Sequence, residues 1–152
     1  MFKKIGFFAI IFAFFVTGCA SVPLESGEKS QQVKQLKTPP EGKAGLYIYR
    51  KGFFGGGLKK DVWIDGKCIG ETAPDIFFYE EVDADKEYEI STESEFSPND
   101  LIINAKDQML YFIRQYIKPG LFVHGADLEL IDEEKGKQDI SKLKLAVKGT
   151  CS

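Results

Sequence analysis

Between residues 44 and 131 the chain is a series of short apolar runs separated by turn residues. The plainest is "KEYEIST" (86–92), where Tyr88 and Ile90 alternate with Glu87, Glu89 and Ser91. That period of two buries one face of a strand and wets the other. "AGLYIYR" (44–50), "DIFFYEEV" (75–82), "DLIINA" (100–105) and "FVHGADLELI" (122–131) are rich in strand formers. In "DVWIDGKCIGET" (61–72), two such runs flank Asp65-Gly66. Asp-Gly supplies the positive φ that both positions of a two-residue hairpin need. "MLYFIRQYI" (109–117) is apolar on both faces and predicts a central strand, with only Arg114 and Gln115 expected outside the core. Seven or eight short strands at this spacing predict an all-β, antiparallel sandwich. "DEEKGKQDISKL" (132–143) then breaks the pattern: Asp132 suits a cap, Glu133 and Glu134 suit a first turn, and a short C-terminal helix is predicted. "KLKLAVK" (142–148) reads as extended.

The N-terminus is patterned differently. Lys3 and Lys4 precede 12 uncharged apolar residues, Ile5 to Val16. A membrane-spanning helix needs roughly 20, whereas a secretory leader has an apolar centre of about 7–15 residues. Residues 20–43, "ASVPLESGEKSQQVKQLKTPPEGK", are dominated by Ser, Gln, Lys, Glu and Pro. Such composition buries too little apolar surface to offset ordering entropy, so a flexible tether is expected, with room for a short helix around Gln31 to Leu36.

Where leader meets tether, Val16-Thr17-Gly18-Cys19 resembles the lipobox of bacterial lipoproteins: an aliphatic residue, two small residues, then the cysteine that receives lipid. The resemblance implies cleavage before Cys19, a diacylglyceryl thioether on its sulfur, and acylation of its amine, as by palmitate. The chain would then divide into a signal peptide (1–18), a lipidated tether (19–43) and a sandwich domain (44–152). Position 20 is Ala20 rather than the aspartate expected of inner-membrane lipoproteins. In a Gram-negative host this implies the outer membrane, with the domain facing the periplasm.

"VWIDGKCIGETAP" (62–74) resembles the PEGA-type hairpin motif of bacterial envelope domains. Over a longer span, "LYIYRKGFF", "VWIDGKCIGE", "FFYEEVDADKEYEIST", "LYFIRQYI" and "LELIDEEKGKQDI" resemble the lipoproteins called domain of unknown function 2846. That resemblance implies a transthyretin-like, or prealbumin-like, sandwich. It brings no catalytic residue with it. The usual Pro-Gly before "EYEIS" is replaced here by "DADK", Asp83 to Lys86.

Charge narrows the function. Removing residues 1–18 with their two lysines leaves 134 residues at a formal −5, against 152 residues at −3 for the whole chain. An acidic chain without a basic cluster argues against nucleic acid as a partner, and membrane contact is expected through the lipid on Cys19. The motifs of zinc proteolysis, the serine hydrolase elbow and thiol redox are absent, and His124 is the one histidine. No catalytic residue, metal or cofactor is expected. Glu80-Glu81, Asp83, Asp85 and Glu133-Glu134 are acidic groups that turns and solvent account for.

"KGFFGGGLKK" (51–60) is the most unusual loop. Phe53 and Phe54, beside three glycines, either dock on an envelope protein or glycan, or tuck against the sandwich edge, while the glycine amides between flanking lysines offer a third reading, an anion cradle. Cys68 and Cys151 are the cysteines left after Cys19. In an oxidising compartment they either pair, closing an 84-residue loop, or stay apart as a buried and an exposed thiol. The expected function is a non-enzymatic, lipid-anchored envelope module for interaction or assembly. Its rival is a carbohydrate or peptidoglycan hydrolase using carboxylates that the sequence does not single out.

Overall fold

Asp65 and Gly66 turn the chain at φ 48° and 72°, and Ile64 lies level with Lys67, so the hairpin forms at the expected dipeptide. It belongs to a computed structural model that describes residues 18–149, 151 and 152. The leader's apolar run and Thr17 of the lipobox lie outside the described residues.

The elements in order are α1 (Gly27–Val33), β1 (Lys43–Arg50), β2 (Lys60–Ile64), β3 (Lys67–Thr72), β4 (Ile76–Asp83), β5 (Lys86–Thr92), β6 (Asn99–Ala105), β7 (Leu110–Lys118), β8 (Gly125–Ile131), α2 (Glu133–Ile140) and β9 (Lys144–Leu145). They form one sheet ordered β8-β7-β1-β4-β9 and a second ordered β3-β2-β5-β6. The all-β sandwich and its short C-terminal helix are therefore both present. Asp132 caps α2 by accepting from Lys135 N at 2.9 Å.

The pairing is not wholly antiparallel as expected. β1 pairs with β7 in parallel, and so does β4 with β9. A parallel neighbour needs a long crossover, so local periodicity carries no trace of it. β1 is consequently buried on both faces. Leu46 and Ile48 join Ile90, Ile103 and Ile113 between the sheets. Tyr47 and Tyr49 point the other way, onto Phe77, Phe112, the helical residue Ile140 and Leu143 just beyond the helix. The outer face of the five-stranded sheet thus carries a second core. α2 lies so close on it that a Cβ at Gly136 would collide with the Phe112 ring.

Three further expectations are corrected. First, the tether is built onto the domain. Leu24 bridges Ala146, Glu25 N donates to Leu145 O and Val147 N to Pro23 O, each at 2.9 Å. Ser26 caps α1, and Tyr47 Oη donates to Val33 O at 2.9 Å. β9 is an edge strand whose open backbone groups the segment pairs, and the segment's few apolar side chains, Val22, Val33 and Leu36, pack against the two cores. Second, Gln115 is fully buried. Its Nε2 donates to Thr92 Oγ1 at 2.7 Å, and it accepts from Thr72 Oγ1, so amide and hydroxyls satisfy one another between the sheets. Third, Phe122 and Val123 belong to a loop rather than to the strand, which begins at Gly125.

Candidate functional site

Strand polarity gathers three long loops at one end of the sandwich, beside the short β3–β4 connection at residues 73–75. β1 runs parallel to β7, with Arg50 level with Gln115, so both strands finish there. β2 is antiparallel to β5, with Val62 level with Thr92, so β2 begins where β5 ends. The loops are residues 51–59, 93–98 and 119–124.

Each of two charged side chains holds a loop by its backbone. Arg50, the largest fully buried side chain, is 1% exposed. Its guanidinium donates to Leu58 O at 2.6 Å and to Gly55 O at 2.5 Å. Burial lowers its pKa, though an arginine stays charged. Gly55 must be glycine: its φ is +70°, and a Cβ would come within 2.8 Å of Ile117 Cγ1. Opposite, the Glu95 carboxylate accepts from the backbone N–H groups of Leu121, Phe122 and Val123. Desolvation pushes its pKa up, but those three bonds outweigh it, and the net direction is down. The loops also meet each other, since the Phe54 and His124 rings stand edge to face at 6.2 Å.

Backbone held in this way turns apolar side chains outward. Phe53 is 76% exposed and Phe122 is 80% exposed, with Phe54, Phe96, Leu121 and Val123 around them. Ala20 N donates to Gly56 O at 2.8 Å, which brings the N-terminal segment to the same end, and the Cys19 thiol beside it is exposed.

Several acidic groups of the sequence are engaged in ion pairs away from that end. Asp83 is paired with Lys43 and Lys86, both at 2.8 Å. Glu80 is paired with Lys148 at 2.5 Å. Asp139 is 1% exposed and receives Lys51 and Lys135 at 2.6 Å and Tyr49 Oη at 2.9 Å. A depression of ≈ 390 Å³ beside residues 20–24 is lined by a single carboxylate, Asp75, against Lys142 and Lys144. Another, of ≈ 240 Å³, holds Asp65 and Glu80. There Asp65 is occupied in accepting from Glu89 N, at 2.9 Å. Among the described residues no group of three or more His, Cys, Asp or Glu side chains could hold a metal. Cys68 and Cys151 are joined in a disulfide with Cα atoms 6.1 Å apart. Ser152 follows it and donates its N–H to the buried Asp61 carboxylate at 3.0 Å.

Of the residues singled out in the sequence, Phe53, Phe54 and Cys19 come to one end, while Cys68 and Cys151 bridge the hairpin to the C-terminus. Sequence reasoning missed Arg50, Glu95, Phe96 and Leu121–Val123 as parts of that end. A signal existed for the last group, because an apolar run directly after Pro119-Gly120 starts in a turn.

The family described as "Protein of unknown function (DUF2846)" matches residues 40–126, a span that includes all three loops. A protein of Haemophilus influenzae, whose printed name is "Uncharacterized protein", is 54% identical over 135 residues. The alignment covers 89% of this chain and 80% of that one. No solved structure matches.

Proposed function

This chain belongs to the family described as "Protein of unknown function (DUF2846)", and from that premise we propose that it is a lipid-anchored, non-enzymatic module of the bacterial cell envelope that works by contact. It is held in the outer membrane by lipid on Cys19 and faces the periplasm. The observation that carries this reading is the lipobox-like Val16-Thr17-Gly18-Cys19 behind a basic, then apolar, leader, with Cys19 exposed. The Asp65-Gly66 hairpin of the PEGA-like stretch, common in envelope domains, supports the same address. The working surface is the end carrying Phe53 and Phe54. Against hydrolysis stands the engagement of the acidic side chains: Asp83, Glu80 and Asp139 each sit in ion pairs. Asp83 and Asp139, whose partners hold their carboxyls low, are poor general acids near neutral pH.

Metabolic labelling with a fatty-acid analogue tests the anchor. Wild-type chain incorporates label, and Cys19→Ser accumulates as an unlabelled, uncleaved precursor. Equal label in both would end the lipoprotein reading. Incubation of the purified chain with peptidoglycan tests the rest, since release of soluble fragments with turnover would make it a hydrolase.

A further inference from the structure

The exposed apolar side chains are unevenly placed. Phe53, Phe54, Phe96, Leu121, Phe122 and Val123 all crown the three loops at one end. The opposite end, made by the turns at residues 65–66, 84–85 and 106–109, has Met109 as its one exposed large apolar side chain among the described residues. Exposed rings on a soluble domain usually fold back onto the nearest apolar surface. Here Arg50 beneath one loop and Glu95 beneath another hold the backbone so that the tips stay out. Six apolar side chains kept in water on preformed loops mark a surface built to be covered.

What covers it follows from where the chain enters. Ala20 is bonded to Gly56, within the loop that bears Phe53 and Phe54. Cys19 is one residue further, and consecutive Cα atoms are only about 3.8 Å apart. A lipid on its sulfur therefore starts at the apolar end itself, with no length of free chain to raise the domain. A partner protein would have to fit between the loops and the bilayer within that distance.

We propose that the end bearing Phe53, Phe54, Phe96, Leu121, Phe122 and Val123 is a membrane-docking face, seated in the headgroup region of the bilayer that holds the Cys19 lipid. The sandwich then stands end-on, directly on the membrane. Apolar tips of this kind bury themselves about 5–10 Å into the boundary between headgroups and acyl chains. The contact is apolar rather than ionic: Lys51, Lys59, Lys60 and Lys118 around the loops are each paired with a carboxylate of the chain. Docking is therefore insensitive to salt. This inference rests on the lipid anchor proposed above, and the test reads anchor and face separately.

The full lipidated chain is reconstituted into phosphatidylethanolamine and phosphatidylglycerol vesicles whose acyl chains are brominated near the headgroup. Phe122→Trp places a reporter on the face and Met109→Trp places one at the far end, each compared with the parent chain and its single tryptophan, Trp63. Bromolipid is expected to quench the Phe122→Trp emission about twofold or more, in low and high salt alike, and to leave Met109→Trp at the parent level. Equal quenching of both, or none at position 122 in fatty-acid-labelled protein, overturns the docking face and leaves the anchor standing. The second pattern would point to a protein partner. If Cys19 carries no label, the Cys19→Ser chain is sedimented with the same vesicles. Co-sedimentation that falls at least about tenfold in Phe53→Ser/Phe122→Ser supports the face, and no co-sedimentation overturns it. Circular dichroism checks that these exposed substitutions leave the fold intact.

Discussion

The Arg50 guanidinium donates to the carbonyl of Gly55 at 2.5 Å from a position only 1% exposed. Its bond to Leu58 O makes it the post on which the 51–59 loop stands. Replacing it with an apolar residue of similar length removes the charged donor from both carbonyls, and Gly55 O keeps only the Leu58 N–H, at 2.8 Å. Arg50→Met is expected to lose about 2–4 kcal/mol in urea denaturation, since hydrogen bonds from a charged donor contribute about 1.5–3 kcal/mol each. Amide exchange should accelerate first within residues 54–58. Unchanged exchange there would mean that the loop holds itself.

Asp139 sets an acid limb on stability. Burial pushes its carboxyl up, but the bonds from Lys135, Lys51 and Tyr49 outweigh that and hold it down, at about 2. The folded pKa lies below the unfolded value of about 3.9. Its contribution is therefore present above that value and is lost as pH falls towards 2. Denaturation between pH 7 and 2 should show a decline of about 2–3 kcal/mol assigned to this group, absent in Asp139→Asn. Asp83 is also held at about 2, by Lys43 and then Lys86. It is exposed, so salt should remove its share of the decline and spare that of Asp139.

Gln115 joins the sheets through polar atoms. Gln115→Leu removes the partner of Thr92 Oγ1 and Thr72 Oγ1 and should cost about 1–3 kcal/mol. Gln115→Glu brings a charge into the same space, so it should be worse at pH 7 and should recover as acid neutralises it. A Glu variant that is equally stable at both pH values would show that water reaches the site.

The Cys68–Cys151 bridge ties the β2–β3 hairpin to the C-terminus. In a Cys19→Ser background, alkylation of denatured protein followed by mass spectrometry should find no reactive thiol without reductant and two with it. The chain-entropy account gives a loop of this size about 4–5 kcal/mol. Cys68→Ala/Cys151→Ala should therefore melt well below the parent, and an unchanged melting temperature would make the bridge ornamental.

Much of the fold was legible because its signals are local. Tyr88 and Ile90 alternate with charges, Asp65-Gly66 can hardly be anything but a tight turn, and Asp132 before Glu133-Glu134 starts a helix. These patterns sufficed for the strands, the hairpin, the sandwich and the C-terminal helix. They also placed Phe53 and Phe54 on a loop, though without neighbours.

What tertiary structure alone decided is how distant pieces meet. Whether β1 takes β7 as a parallel neighbour depends on closing a chain of some 60 residues, which no local period records. That one pairing puts the 51–59 and 119–124 loops side by side, and so turns separate apolar runs into one surface. Likewise residues 20–43 read by composition as a tether with at most a short helix around Gln31 to Leu36, because much of their order comes from main-chain bonds to an edge strand more than 100 residues away. Side-chain pattern reports burial along a segment. It does not report which backbone another segment leaves unpaired, and here that decided both the docked N-terminal stretch and the end at which Cys19 emerges.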